Sequence, residues 1–147
     1  MRAVVQRVRR AAVRVGEETV GAIEQGLAVL VGVSVADGPA QADALAGKIA
    51  HLRIFDDAAG RLNRSVLDAG GGVLVVSQFT LYGDVSRGRR PSFLRAAPPE
   101  QAEPLVDRVA ARLRDLGLTV ATGRFRTSML VEIHNDGPVT IVLDTDA

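Results

Sequence analysis

The sequence predicts an α/β fold: one compact domain with a largely antiparallel β core in β/β/α layers and two helices packed on one side. Three observations lead there. Val73-Leu74-Val75-Val76 is a run of β-branched residues and leucine with no polar member, as a strand buried on both faces requires. Short alternating segments crowd both ends of the chain. Only two stretches, around Ala42 to Leu52 and Leu105 to Leu116, space apolar residues by three and four as an amphipathic helix does. A chain of 147 residues with 47% hydrophobic content builds one core and is short for two, so the expected domain is residues 1–147.

Met1 to Arg10 alternates, with Val4, Gln6 and Val8 on one side and Ala3, Val5, Arg7 and Arg9 on the other, and reads as a half-buried strand. Ala11 to Val15 repeats the pattern. Gly16-Glu17-Glu18 turns the chain into Thr19 to Ile23, and Gly26 precedes the apolar run Leu27 to Val35. Asp37-Gly38-Pro39 supplies helix-start chemistry, because Pro is tolerated in a first turn. Ala42, Leu45, Ile49 and Leu52 then carry a helix to about Ile54. Asp56 to Arg61 has turn composition, and Asn63 to Leu67 reads as a short connection.

Gly70-Gly71-Gly72 launches the central strand. Past its apolar half come Ser77, Gln78 and Thr80, with Phe79 and Leu81 interleaved. Continued as a strand, this segment puts Leu74, Val76, Gln78 and Thr80 on one face and Val75, Ser77, Phe79 and Leu81 on the other. Polar groups thus enter at the end of a buried element, either as a strand leaving the core or as a site. Gly83 to Phe93 has the Gly, Pro and Arg content of an exposed loop, with Arg87, Arg89 and Arg90 crowded together. Pro98-Pro99-Glu100 opens the second helix, which carries Leu105, Val109, Leu113 and Leu116 on one stripe and ends at Gly117. Leu118 to Thr122 is strand-like. Met129 to Ile133 and Val139 to Leu143 read as two strands joined by Asn135-Asp136-Gly137-Pro138, a turn by composition. Gly-Pro is also a bond whose cis form costs only about 0.5–1 kcal/mol.

Composition excludes several kinds of chemistry. With no Cys there is no disulfide framework, thiolate nucleophile, or cysteine-held zinc or iron–sulfur cluster. No apolar run approaches the roughly 20 residues that span a bilayer, and the N-terminus alternates where a signal peptide is apolar, so a soluble, cytoplasmic protein without membrane contact is expected. All but Lys48 of the 18 Lys and Arg residues are Arg. That bias suits phosphate recognition but is also what a GC-rich coding bias produces, and a net charge of +1 argues against broad nonspecific nucleic-acid binding. G-x-S-x-G, H-E-x-x-H and P-loop motifs are missing, and His51 and His134 are far apart and read as structural or surface residues. The adjacent carboxylates Glu17-Glu18 and Asp56-Asp57 point apart, and neither a metal site nor a cofactor is expected. An enzyme built from these parts would act through backbone amides that bind an oxyanion, on an ester that is already activated.

Three motifs carry a family resemblance. SQFTL at Ser77 to Leu81, LYGD-x-x-x-G-x-RPSF from Leu81 to Phe93, and NDGPVT from Asn135 to Thr140, with the opening MRAVVQRV, together resemble the D-aminoacyl-tRNA deacylases over essentially the whole chain. The resemblance implies that Ser77, Gln78, Phe79 and Thr80 line the pocket for the aminoacylated adenosine at the tRNA 3′ end, with Phe125 and Met129 packed near the adenosine. It implies a homodimer in which Gly137 and Pro138, joined by a cis bond, reach into the partner's pocket and reject L-amino acids by clash, while glycine leaks through. It also implies attack by water, with amides around Phe79 and Thr80 on the oxyanion and the vicinal ribose hydroxyl assisting. Gln78 suits orientation of substrate or strand, and Thr80 as nucleophile is the lesser option, because no base partner accompanies it. The chain departs from the family's usual T-G-x-F-G-A-x-M at Arg126-Thr127, which replace Gly-Ala. The rival expectations are a noncatalytic nucleic-acid-binding dimer and a stand-alone editing module of the archaeal threonyl-tRNA synthetase type.

Overall fold

The computed structural model describes residues 1–146, so only Ala147 of the expected domain lies outside the described residues. Strand β1 (Arg2–Val15) is the spine of the sheet. Along one edge it pairs antiparallel with β3 (Gly26–Gly32) through Val8 and with β2 (Glu18–Ile23) from Ala11 onward. Along the other it pairs antiparallel with β8 (Leu130–Asp144) from Arg2 to Arg14. Outward from β3 the sheet becomes parallel, through β6 (Gly72–Ser77) and then β7 (Thr119–Thr122). Parallel neighbours need crossover connections, and helices supply them: α1 (Pro39–His51) and the short α2 (Val66–Ala69) between β3 and β6, and α3 (Pro99–Asp115) between β6 and β7. A small hairpin, β4 (Phe55–Asp56) with β5 (Leu62–Arg64), lies outside the main sheet.

The α/β class and the helix-covered sheet are as expected, with refinements. The sheet is mixed, three antiparallel pairings and two parallel ones. The presumed connection Asn63 to Leu67 instead holds β5 and the start of α2, a one-turn helix whose Ser65 cap and Asp68 bond each other's backbone N–H groups. Leu116 leaves the apolar stripe of α3 and is solvent-exposed, while Ala102, Val106 and Ala110 join it. The apolar run after Gly26 leaves the main sheet at Gly32 and bridges from Ser34 to Ala96, and Val35 is exposed.

Val73 and Val75 face the cluster made with α1 and α3, whereas Leu74 and Val76 face a second cluster with Val8, Ala11, Val13, Ile23 and Ala28. The central strand is therefore buried on both faces because the sheet curls over it on the side away from the helices. Gly26 permits the close approach at the base of this curl: a Cβ there would overlap the Gly72 carbonyl oxygen. No described helix is long and apolar enough to cross a membrane.

Candidate active site

The extended geometry of β6 ends at Ser77. Gln78 still donates its N–H to the Val31 carbonyl at 2.8 Å, but the segment beyond Gly32 pairs with residues 95–97 instead, Ala97 N–H donating to the Val33 carbonyl at 2.9 Å and Val35 N–H to the Arg95 carbonyl at 3.0 Å. After Gln78 the chain turns into a 3₁₀ helix, Phe79–Tyr82, so the face assignment expected for Gln78 to Leu81 fails. Leu81 N–H donates to the Gln78 carbonyl at 3.3 Å, and Gly83 N–H to that of Thr80 at 2.9 Å. The N–H groups of Phe79 and Thr80 precede the first closed turn and have no helical acceptor. The turn is braced from behind. Tyr82 is buried, the Arg2 guanidinium lies 4.7 Å from its ring centroid, and Arg2 Nη1 donates to the Leu81 carbonyl at 2.9 Å. Gln78 Nε2 donates to Thr80 Oγ1, which fixes both side chains on the outer surface of the turn.

A cavity of about 670 Å³ opens beside this strand end. Ser77, Gln78 and Phe79 line it together with Phe93, Phe125, Met129 and Val131. Phe79 and Phe93 meet edge to face with ring centroids 5.1 Å apart, although both remain substantially exposed. Phe125 packs on the helix-side core and Met129 on the inner one, so both layers support the lining. Among the lining residues Arg126 alone is ionisable; there is no His, Asp, Glu, Lys or Tyr. Glu103 and Asp107 of α3 line a smaller adjoining cavity of about 260 Å³, which shares Ser77, Phe125 and Met129 with the first. Among the described residues no three His, Cys, Asp or Glu groups are arranged to hold a metal.

Of the residues singled out in the sequence, Ser77, Gln78, Phe79, Phe125 and Met129 share this cavity, and Thr80 adjoins it through Gln78. Gly137 and Pro138 do not line it. The bond between them is cis, and they lie within β8, which runs on as one strand where two strands and a turn were expected. The turn chemistry appears instead as a bulge: β8 slips against β1 between Gln6 and Val8 and again between Val8 and Arg10, and residues 136–139 arch outward opposite Arg7. His51 and His134 line neither cavity.

Arg7 is the residue that the sequence reading missed. Its buried guanidinium donates from Nε to the Asp136 carbonyl at 3.0 Å and from Nη1 to the Ile54 carbonyl at 2.9 Å. The carboxylates of Asp56 and Asp136 stand 3.6 and 3.8 Å away. A cation alternating onto the buried face with Ala3 and Val5 was the available signal. The arch that carries Gly137 thus hangs from a charge held inside the protein.

Backbone amides of Phe79 and Thr80 without a helical acceptor stand at a cavity lined by Ser77 and Gln78, by aromatic and thioether side chains and by no general base, an arrangement suited to a hydrolase acting on an ester its substrate has already activated. A profile of the D-Tyr-tRNA(Tyr) deacylase family matches residues 4–144. D-aminoacyl-tRNA deacylases of Symbiobacterium thermophilum and Roseiflexus sp. are 64% and 63% identical, over 99% of this chain and 97% and 94% of theirs. A solved structure of a c-Myc DNA unwinding element binding protein is 43% identical and superposes with a TM-score of 0.95 over the whole of both chains. That of a probable eukaryotic D-amino acid tRNA deacylase shares the fold, with a TM-score of 0.83 at 17% identity over 97% of each. The chain belongs to the D-aminoacyl-tRNA deacylase family, a family of hydrolases.

Proposed function

We propose that the protein hydrolyses the ester between a D-amino acid and the 3′-terminal adenosine of tRNA, and also releases glycine mischarged on tRNA. What carries this reading is the cavity in which a polar strand end faces an aromatic and thioether wall with no protein base within it. The adenosine packs against Phe125 and Met129, and the acyl group lies along Ser77 to Thr80. Water adds to the acyl carbon while the amides of Phe79 and Thr80 hold the oxyanion. The leaving ribose oxygen takes a proton relayed through the vicinal hydroxyl, which gives free D-amino acid and free tRNA.

Chirality is judged across a homodimer, by Gly137 and Pro138 of one copy in the pocket of the other. Two features support this. Neither Gly137 nor Pro138 lines the cavity of its own copy, and residues 136–139 arch out of register with β1. Leu130 and Val142, at the two ends of β8, are 63% and 66% exposed, an apolar edge that a second copy would cover. A peptide carbonyl close to the substrate α-carbon leaves room for hydrogen and excludes a side chain, so L-amino acids clash and glycine does not.

A noncatalytic nucleic-acid-binding dimer is the second reading, favoured by the likeness to a structure named for DNA binding. Incubation with D-Tyr-tRNA, L-Tyr-tRNA and Gly-tRNA separates the two. Release of D-Tyr and Gly with the L-ester intact is expected; a mere binder releases none of the three.

A further inference from the structure

Arg126 occupies a backbone conformation that its side chain does not favour. At φ 59° it is the one non-glycine residue with positive φ among the described residues. A glycine would take that conformation freely, whereas an L side chain there is crowded. Such positions concentrate where a side chain is needed at a particular place. The tight turn that imposes it is closed by Thr127 Oγ1, which donates to the Arg124 carbonyl at 2.7 Å. Two arginines flank the Phe125 side chain, and their circumstances differ. Arg124 lines the smaller cavity and pairs with Glu18 at 3.2 Å. Arg126 lines the main cavity, is exposed, and forms no ion pair among the described residues.

We infer that Arg126 is a substrate-binding residue that grips the phosphodiester linking the terminal nucleoside of the substrate to the nucleotide before it. The inference rests on the proposed function and adds to it a contact that reads the nucleic-acid backbone. A guanidinium fork matches a phosphate bidentately, and an exposed, unpaired one loses little by binding. Its position favours phosphate over a carboxylate of the amino acid. Arg126 is next in sequence to Phe125, against which the proposed function packs the nucleoside, and both line the main cavity. A phosphate on the ribose 5′ oxygen stays with the nucleoside; an amino-acid side chain goes with the acyl group.

The test compares wild type, Arg126→Gly and Arg126→Lys on three esters: 3′-O-D-tyrosyl-adenosine, the same compound carrying a 5′-phosphate, and D-Tyr-tRNA. In Arg126→Gly, KM is expected to rise about 10-fold for the two phosphorylated substrates with kcat within about twofold, and to stay unchanged for the unphosphorylated ester. The slope of log affinity against log salt for D-Tyr-tRNA should fall by about 0.7, one phosphate contact on a single strand. Thermal stability should hold or rise, since glycine relieves the backbone, which separates lost binding from lost folding. Arg126→Lys should be intermediate, keeping the charge without the fork. Equal KM changes on all three esters, or no change on any, overturn the assignment. So does a defect confined to D-aspartyl esters, which would make the ligand a carboxylate. Wild type inert toward D-Tyr-tRNA itself overturns the proposed function and this inference with it.

Discussion

Replacing Arg7 by Met keeps the aliphatic stem and its packing while removing the charge on which the Asp136–Val139 arch hangs. Two hydrogen bonds disappear, at 3.0 Å to the Asp136 carbonyl and 2.9 Å to the Ile54 carbonyl. Charge-assisted bonds are worth about 1.5–3 kcal/mol each, and the two carbonyls left behind lose their partner inside the protein. Against that, burying the guanidinium carries its own cost, which the variant no longer bears. The long approaches of Asp56 and Asp136, 3.6 and 3.8 Å, add little. The net loss is about 3 kcal/mol, a third or so of an ordinary domain's stability, or a fall in Tm of about 6–12 °C. The proposed dimer would add concentration-dependent stability, so the melting curves are compared at one protein concentration. Activity should suffer differently: D-Tyr-tRNA hydrolysis persists, and the preference for D over L drops by tenfold or more as Gly137 loses its support. Arg9→Met is the control, since Arg9 is 81% exposed and reaches the same carboxylate at 3.7 Å; it should cost under about 0.5 kcal/mol. A Tm within 2 °C of wild type together with unchanged discrimination would refute the role given to Arg7.

Tyr82→Phe should stabilise the protein by about 1 kcal/mol at pH 7, because the buried Tyr82 Oη has no hydrogen-bond partner among the described residues and its removal leaves none unpaired. Burial, then the carboxylates of Asp37 and Asp144, push the Tyr82 phenol up to about 12, whereas the unfolded chain ionises near 10. The Tyr82 contribution to stability is therefore level below pH 10 and declines between 10 and 12, and the variant, followed by urea unfolding, should lose that part of the decline. Asp43 is held down to about 2 by its hydrogen bond from Arg108 and by the charges of Arg108 and Arg112, so its clamp between α1 and α3 acts above pH 4 and fades from 4 to 2. Asp43→Asn should flatten the acid limb of a stability–pH curve in that window. Thr80→Ala should keep its rate within about tenfold, since the side-chain partner of its hydroxyl is the Gln78 carboxamide, which cannot serve as a base. Total loss of turnover by a folded variant in the D-Tyr-tRNA assay would make Thr80 the nucleophile.

What could be read from the residues, and what could not, divides along a physical line. Period and composition report burial, and burial is what located β6, α1 and α3: Val73 to Val76 has no polar member because both its faces are covered, and the helical stripes are apolar because they cover one of them. Ser77, Gln78, Phe79, Phe125 and Met129 could be gathered only by resemblance, since nothing in their spacing says that two segments nearly fifty residues apart face one cavity. The failures fall where a third element decides the local geometry. Gln78 to Leu81 has strand-like alternation, but a strand needs a neighbour, and past Gly32 the neighbouring chain is paired with residues 95–97. Asn135 to Pro138 has every mark of a turn; held on β1 at both flanks, it becomes an arch in a continuous strand.

Arg7 and Arg126 show why charge was the least legible signal. Each looks like ordinary surface arginine in a chain rich in it, and each is singled out only by surroundings drawn from elsewhere in the fold. Arg7 is buried because two carbonyls, from the arch of β8 and from the end of the segment after α1, converge on the one cation that alternation directs inward. Arg126 is conspicuous for the opposite reason, a solvated cation at the rim of a cavity with no other charge, on a backbone better suited to glycine. Folding energetics account for the first, because without its partners the buried charge would be prohibitive. They do not account for the second, since glycine would serve the fold at least as well. A residue that the fold does not require, in a conformation it disfavours and beside the site, is best explained by the ligand.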